Sequence, residues 1–107
     1  MAEYDYHTRI KELTEFQLAQ GQDHKDIVIH TNEELGEFCT AMAIEDGDVT
    51  KKYKDKPKET SAYEAVDVTI CALSLFYARG GTKAQFEYAV SQKLNKWENK
   101  VKDGLQK

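Results

Sequence analysis

The chain has 107 residues, 40% of them hydrophobic, which is enough for one compact core but not for two independent ones. We therefore expect a single domain over residues 1–107. The formal net charge of -4 excludes a general affinity for nucleic acid, because such affinity needs a concentrated basic face. A polyanionic ligand would instead need a bridging divalent cation.

The start of the sequence has no charged segment followed by an apolar segment of the secretory type. The longest apolar run is interrupted by Asp67 and is too short to span a bilayer. We therefore expect a cytoplasmic protein without a membrane partner. Cys39 and Cys71 lack the CxxC spacing of zinc and redox sites, and we expect both to pack as small hydrophobic residues.

Two helices are predicted in the first half of the chain. The first runs from about Tyr4 to Ala19 and is ended by Gly21. The second runs from about Asp26 to Glu45, with a start at Thr31 as the alternative, because Thr31 and Glu34 match a capping box. The predicted inner stripe of the first helix consists of Tyr6, Ile10, Leu13 and Phe16 or Gln17.

Two more helices are predicted in the second half. The polar segment DGDVTKKYKDKPK at 46–58 contains Gly and Pro and is predicted to be a loop. The third helix then runs from about Glu59 to Ala78, before two glycines, and the fourth from about Lys83 to Lys102. Since no β-type alternation is visible, we predict an all-α fold made of a four-helix bundle.

The third helix is apolar on nearly all sides. Three short partner helices can hardly cover such a helix, so a second copy of the chain is expected to do so. The sequence therefore predicts a homo-oligomer, either a dimer or a tetramer. One side of the helix carries Tyr63, Val66, Ile70, Leu73 and Tyr77.

Among several pairs of acidic residues at i and i+3, two are embedded between apolar neighbours: Glu34 with Glu37, and Glu64 with Asp67. Burying an unpaired carboxylate costs several kcal/mol unless something compensates it. If the second and third helices pack antiparallel, the two pairs can face each other across the bundle. Four carboxylates in one space would then require a proton or a cation.

A cluster with only oxygen ligands suits Mg2+, with Mn2+ as a substitute. A di-iron site in a helical bundle needs Glu-x-x-His pairs, and because the sequence has none, this kind of site is excluded. The alternative is an internal salt-bridge network. Arginine is the preferred buried partner of a carboxylate, yet the chain has only Arg9 and Arg79, so we favour the metal.

The segment Glu33-Glu34-Leu35-Gly36-Glu37, followed after one loop by Glu64-Ala65-Val66-Asp67, resembles the ExxE and ExxD signature of the MazG-like all-α nucleoside triphosphate pyrophosphatases. That family is similar in turn to the dimeric dUTPases. The resemblance implies a four-helix unit assembled into dimers or tetramers. It also implies Mg2+-dependent cleavage of a nucleoside triphosphate to the monophosphate and pyrophosphate.

Carried over to this sequence, the resemblance implies that Glu34, Glu37, Glu64 and Asp67 are the metal ligands. Carboxylates left over after coordination can orient or deprotonate the attacking water, and Glu37 or Glu34 is the candidate for this role. Glu33, which points in a different direction on the helix, is a candidate base or a partner of the ligands.

Other residues are candidates for binding the substrate. Lys93 and Lys96 could reach phosphates as point charges, with Asn95 beside them, although a solvated face is the alternative for each lysine. Gln17 could border a base pocket together with Phe16 and Ile44. For Phe16, Ile44 and Trp97 we favour a position in the core.

The resemblance thus implies an enzyme that removes unwanted nucleotides from the pool by hydrolysing canonical or damaged (d)NTPs. Two readings without catalysis stay open. One is a helical oligomer that binds a metal or nucleotide as a regulator. The other is an adaptor that uses the third helix as its interface with another protein.

Overall fold

The structure is a computed structural model that describes residues 5–47 and 60–106, and within those ranges it contains four α-helices and no strand. This confirms the all-α prediction. Most of the predicted loop, residues 48–58, lies outside the described residues. The helices are α1 (Tyr6–Ala19), α2 (His24–Glu45), α3 (Ser61–Ala78) and α4 (Lys83–Gln106).

The start of α2 is fixed by two aspartates that cap each other. The backbone N–H of Asp26 donates to the Asp23 carboxylate at 3.0 Å, and the Asp23 N–H donates to the Asp26 carboxylate at 2.8 Å. This reciprocal arrangement satisfies two N–H groups that would otherwise lack partners. The alternative start at Thr31 is wrong, because the Thr31 hydroxyl donates to the Ile27 carbonyl at 2.7 Å inside a continuous helix.

α2 and α3 pack antiparallel, and a polar contact joins them at each end. Where α2 ends, the Glu45 carboxylate accepts from the backbone N–H of Ser61 at 2.8 Å and from the Ser61 hydroxyl. Where α2 begins, the Arg79 guanidinium donates to Nδ1 of His24 at 3.0 Å. The antiparallel packing, which the sequence analysis treats as a condition for the two acidic pairs to meet, is therefore observed, and it places the middle of α2 beside the first half of α3.

α1 packs on α3 through an apolar cluster and one buried hydroxyl. The cluster consists of Ile10, Leu73 and Tyr77. Below it, Thr14 is buried, and its hydroxyl donates to the Ile10 carbonyl at 2.8 Å. Of the predicted inner stripe of α1, Ile10 is buried, and the prediction is wrong for the other residues, because Thr14 takes the inward position instead. The exposed residues of that stripe are Tyr6, Leu13, Phe16 and Gln17.

The turn between α3 and α4 depends on two glycines. Gly80 has a φ of +88°, a backbone conformation that residues with a Cβ rarely adopt. At Gly81 an added Cβ would lie 2.3 Å from the ring of Phe76. Because Gly81 has no Cβ, the Phe76 ring can lie against the turn. There it contacts Phe86 of α4 edge to face, at a centroid distance of 5.6 Å.

α4 contacts the other helices near its beginning. Phe86 packs against the apolar cluster, and Lys83 lies 3.7 Å from the Asp5 carboxylate. From residue 91 to residue 104 every side chain of α4 is exposed, and Trp97 is 64% exposed. The expected core position of Trp97 is therefore not reached within one chain, and the four-helix packing is formed only around the beginning of α4.

One face of α3 is also left uncovered within the single chain. Tyr63, Val66 and Ile70 follow one another at helical spacing, and all three are exposed. Their exposure agrees with the reasoning that three short helices cannot cover α3, while the oligomer itself stays a prediction. None of the described helices combines the length and the apolar character needed to cross a membrane.

Candidate functional site

Three of the four predicted metal ligands meet between α2 and α3. Glu34 and Glu37 lie almost one turn apart on α2, and Glu64 lies in the first turn of α3. Each offers one carboxylate oxygen, and the three oxygens lie within 4.8 Å of one another. We call Glu34, Glu37 and Glu64 the acidic cluster. Such a spacing allows all three oxygens to contact a single cation.

The acidic cluster runs from the interior to the surface. Glu64 is buried, with 8% of its surface exposed, and the side chain of Glu34 is 14% exposed. Glu37 is exposed to solvent. One oxygen of Glu34, Oε2, is buried and has no hydrogen-bond partner among the described residues. A buried carboxylate oxygen without a partner is costly, so this atom is suited to a cation or a proton.

The electrostatics of Glu34 reflect this environment. Burial raises the pKa of the Glu34 carboxyl, and the nearby negative charges of Glu37 and Asp67 raise it further. The ring of His30 acts in the opposite direction, with Nε2 at 3.5 Å from Oε1 of Glu34. Within the described residues, His30 therefore offsets only part of the negative charge around Glu34.

Asp67, the fourth predicted ligand, lies close to the cluster without belonging to it. Its charge raises the pKa values of Glu34 and of the buried Cys71 thiol, although burial is the larger cause for both. Its oxygens are not among those that lie within 4.8 Å of one another. The structure therefore brings Asp67 to the site, and its role as a ligand stays a prediction.

The alternative of an internal salt-bridge network is not seen at Glu34, Glu37 or Asp67 within the described part of the chain, where no lysine or arginine forms an ion pair with any of them. The basic side chain at Glu34 is His30, which also lies 3.7 Å from the Glu33 carboxylate. The sequence analysis missed His30, although its spacing of four residues before Glu34 on a helix could have indicated the contact.

A cavity of about 750 Å³ approaches the acidic cluster through His30, whose ring lies 3.5 Å from a carboxylate of the cluster, although none of the three glutamates of the cluster is among its lining residues. α1, α2 and α3 all contribute to its walls, and His30 and Glu33 line it on the side of the cluster. The predicted base-pocket residues Phe16 and Gln17 line it as well, and Phe16 is 62% exposed rather than part of the core. Ile44, the third predicted residue, is partly buried and is not among the lining residues.

The predicted phosphate-binding residues lie elsewhere in the single chain. Lys93, Asn95 and Lys96 are in the exposed part of α4. They make no hydrogen bond or ion pair with any residue that the structure describes. Their contact with a phosphate group stays a prediction, and within one chain the structure does not bring them to the acidic cluster.

No known family model matches the sequence, no curated protein is significantly similar to it, and no solved structure matches its fold. The features that bear on function are therefore the sequence motifs, the geometry of the acidic cluster, and the cavity between α1, α2 and α3.

Proposed function

We propose that the protein is a metal-dependent pyrophosphohydrolase that cleaves (deoxy)nucleoside triphosphates to the monophosphate and pyrophosphate. The observation that carries the proposal is the meeting of three carboxylate oxygens, from Glu34, Glu37 and Glu64, within 4.8 Å on the two helices that also line a cavity of about 750 Å³. The likeness of the ExxE and ExxD motifs to those of the MazG-like pyrophosphatases supports the same proposal.

The donor set fits Mg2+, with Mn2+ as a substitute. All three ligands of the cluster are carboxylates, Oε2 of Glu34 has no partner among the described residues, and Asp67 adds negative charge nearby. Glu34, Glu37 and Glu64 would hold the ion, with Asp67 as a fourth ligand. When bound, the ion would neutralise phosphate oxygens and the charge on the leaving pyrophosphate.

The side chains have separate tasks in this chemistry. Glu37 is the exposed member of the cluster, so water can reach its carboxylate, which orients the attacking water and takes up its proton. Glu34 is the second candidate for this role. Gln17 and the walls of the cavity hold the nucleoside, so that the phosphates extend towards the cluster.

The active form in this proposal is a homodimer or homotetramer in the cytoplasm. α4 is exposed from residue 91 to residue 104, and α3 leaves an apolar face uncovered. A second copy that covers these surfaces could bring Lys93, Asn95 and Lys96 towards the phosphates bound at its neighbour. The biological role would be to remove unwanted nucleotides from the pool.

The test is an analysis of products. The purified protein is incubated with each dNTP and Mg2+, and 31P NMR distinguishes pyrophosphate from inorganic phosphate. We expect monophosphate and pyrophosphate, no reaction in EDTA, and a loss of about 100-fold or more in kcat for Glu37→Gln. Glu12→Gln, an exposed glutamate on α1, is the matched control and keeps its activity. Release of inorganic phosphate, or equal rates for both variants, would contradict the proposal.

A second candidate function is favoured by the large uncovered apolar surface. Exposed faces on α3 and α4 suit an interaction protein, in which the cavity binds a nucleotide as a regulatory signal without hydrolysis. This alternative predicts that nucleotides bind and change the oligomeric state while no pyrophosphate appears. Size-exclusion chromatography with and without dNTPs, combined with the product analysis, separates the two functions.

A further inference from the structure

One exposed side of α2 carries residues that recur at alternating spacings of four and three positions. We call them the α2 seam, which consists of Val28, Asn32, Leu35, Cys39 and Met42. All of them are exposed in the single chain, and the three large hydrophobic members are between 40% and 47% exposed. An alternation of four and three is the spacing at which one helix packs lengthwise against another, so the α2 seam is suited to a partner helix.

The α2 seam is separate from the sides of α2 that already have contacts. Ile27 and Ala41 are the buried residues of α2, and Glu34 belongs to the acidic cluster. Each of these three residues directly precedes a member of the seam, so each points about 100° away from it. A partner on the seam therefore does not have to displace α3 or cover the acidic cluster.

The beginning of α2 is basic beside the seam. A groove of about 600 Å³ lies there between α2 and α3, and its lining includes Lys25, Val28 and Arg79 but no acidic residue within the described part of the chain. Neither Lys25 nor Arg79 forms an ion pair with any residue of 5–47 or 60–106. The nearby carboxylates of Asp23 and Asp26 accept from each other's backbone N–H groups. Two positive charges are therefore available to an acidic partner at this end.

The end of α2 carries the opposite charge. Glu45 and Asp46 are exposed there, and hydrogen bonds from Ser61 hold the Glu45 carboxylate in place. Two parallel copies of α2 would bring like charges together at both ends. Two antiparallel copies bring the basic end of each chain to the acidic end of the other, which is the self-complementarity that a two-fold interface requires. The charges therefore favour a second copy in the antiparallel direction.

The register of such a pair follows from the apolar residues and the charges together. Two antiparallel registers interleave the members of the seam. In one of them Val28 lies opposite Cys39 of the second copy, and the basic end comes close to Glu45 of that copy. In the other register, shifted by seven residues, Val28 lies opposite Asp46, so an apolar side chain would cover a carboxylate. The first register is therefore favoured.

We propose that the α2 seam binds the α2 seam of a second copy in antiparallel orientation, with Val28 of each copy opposite Cys39 of the other. One helix face is smaller than a standard interface, which buries about 800 Å² on each partner. The seam therefore joins two dimers, each formed through α3 and α4, into a tetramer, and for those dimers alone the inference rests on the proposed function.

Val28→Cys tests the register by disulfide cross-linking with copper phenanthroline. The introduced thiol lies opposite Cys39 of the second copy, so we expect a dimer on a denaturing gel that dithiothreitol reverses, with residues 28 and 39 linked in the peptide map. The wild-type protein should not be linked, because its two Cys39 thiols are separated by about 16 Å along the helices, whereas a disulfide needs Cα atoms within about 7 Å. Glu12→Cys, at an exposed position on α1, is the control and should not link to Cys39.

Analytical ultracentrifugation measures the assembly itself. We expect a tetramer for the wild-type protein and a dimer for Val28→Lys, which adds a positive charge to the basic end and should keep the helical circular dichroism spectrum. A wild-type protein smaller than a tetramer, a link between two Cys39 residues, no link in folded Val28→Cys, or a tetramer of Val28→Lys would overturn the inference. These results do not depend on hydrolysis, so the inference can fail while pyrophosphate is released, and it can hold while no triphosphate is cleaved.

Discussion

His30 lies against Glu34 on the same face of α2, with Nε2 of the ring 3.5 Å from Oε1 of the carboxylate. The other oxygen of Glu34 is buried without a hydrogen-bond partner among the described residues. One side of this carboxylate thus faces His30, while its other oxygen has no hydrogen-bond partner within residues 5–47 and 60–106. A cation between α2 and α3 would complete the arrangement.

The first prediction concerns the stability of the metal-free protein. Since burial raises the pKa of Glu34 above its ordinary value of 4.5, the folded protein holds this proton more tightly than the unfolded chain. The contribution of Glu34 to stability therefore falls as the pH rises from 4.5 through the raised pKa. In EDTA at pH 7, Glu34→Gln should melt a few degrees above the wild type, and the difference should shrink below pH 4.5.

Thermal melting monitored by circular dichroism over this pH range measures the effect, with Glu12→Gln as the control for loss of one exposed carboxylate. Excess Mg2+ should reverse the order, because the ion stabilises the wild-type protein by mass action. Equal melting temperatures of Glu34→Gln and wild type at every pH would show that folding does not raise the pKa of Glu34.

The second prediction concerns the link between Glu45 and Ser61. Hydrogen bonds from the Ser61 hydroxyl and backbone lower the pKa of Glu45, so the ionised carboxylate stabilises the start of α3. This stabilisation is present above pH 4.5, the ordinary value, and is lost as the pH falls through the lowered pKa. Glu45→Gln should lower the melting temperature at pH 7 but not at pH 2. A difference that persists unchanged at pH 2 would indicate a cause other than the charge.

The third prediction compares two glycine substitutions of opposite sign. Gly81→Ala should destabilise the protein by about 1–3 kcal/mol, because the added Cβ meets the Phe76 ring at 2.3 Å. Gly36→Ala places a methyl group in open space within α2 and should stabilise by about 0.5–1 kcal/mol through helix propensity. Urea unfolding measures both free energies. A neutral Gly81→Ala would mean that the turn before α4 is looser than the structure shows.

The fourth prediction uses the single tryptophan of the chain as a reporter of assembly. Trp97 is 64% exposed in one chain, so a monomer should emit at the wavelength of a solvated indole. In the proposed oligomer, a second copy covers α4, and the emission should shift to the blue. Trp97→Glu should then yield a monomer in analytical ultracentrifugation, whereas Lys100→Glu on the same helix should not. Tryptophan emission that stays at the wavelength of a solvated indole at every protein concentration would contradict assembly through this part of α4.

Local spacing within the sequence predicted the helices and the acidic cluster well. The pairs Glu34 with Glu37 and Glu64 with Asp67 were recognised because they interrupt apolar runs, and antiparallel packing then brings three of these residues together. The earlier start of α2 depends on the reciprocal capping of Asp23 and Asp26, which the competing capping-box pattern further along the helix obscured.

Contacts between distant residues could not be predicted in the same way. The sequence indicates that α4 has an apolar face, but periodicity does not say what covers that face, so the predicted core position of Trp97 is wrong for a single chain. Similarly, the Thr14 and Ser74 hydroxyls are 60 positions apart, and their contact depends on how α1 is rotated against α3. Such rotation is set by side-chain packing, which the periodicity of one helix does not specify.

The central claim is that carboxylates of α2 and α3 hold a divalent cation, and a titration with Mn2+ followed by electron paramagnetic resonance tests it most directly. Free Mn2+ gives a sharp signal that disappears on binding. We predict saturable loss of the signal with the wild-type protein and with Glu12→Gln, competition by Mg2+, and no saturable loss with Glu64→Gln. An unchanged Mn2+ signal with the folded wild-type protein, or equal binding by Glu64→Gln, would contradict the claim.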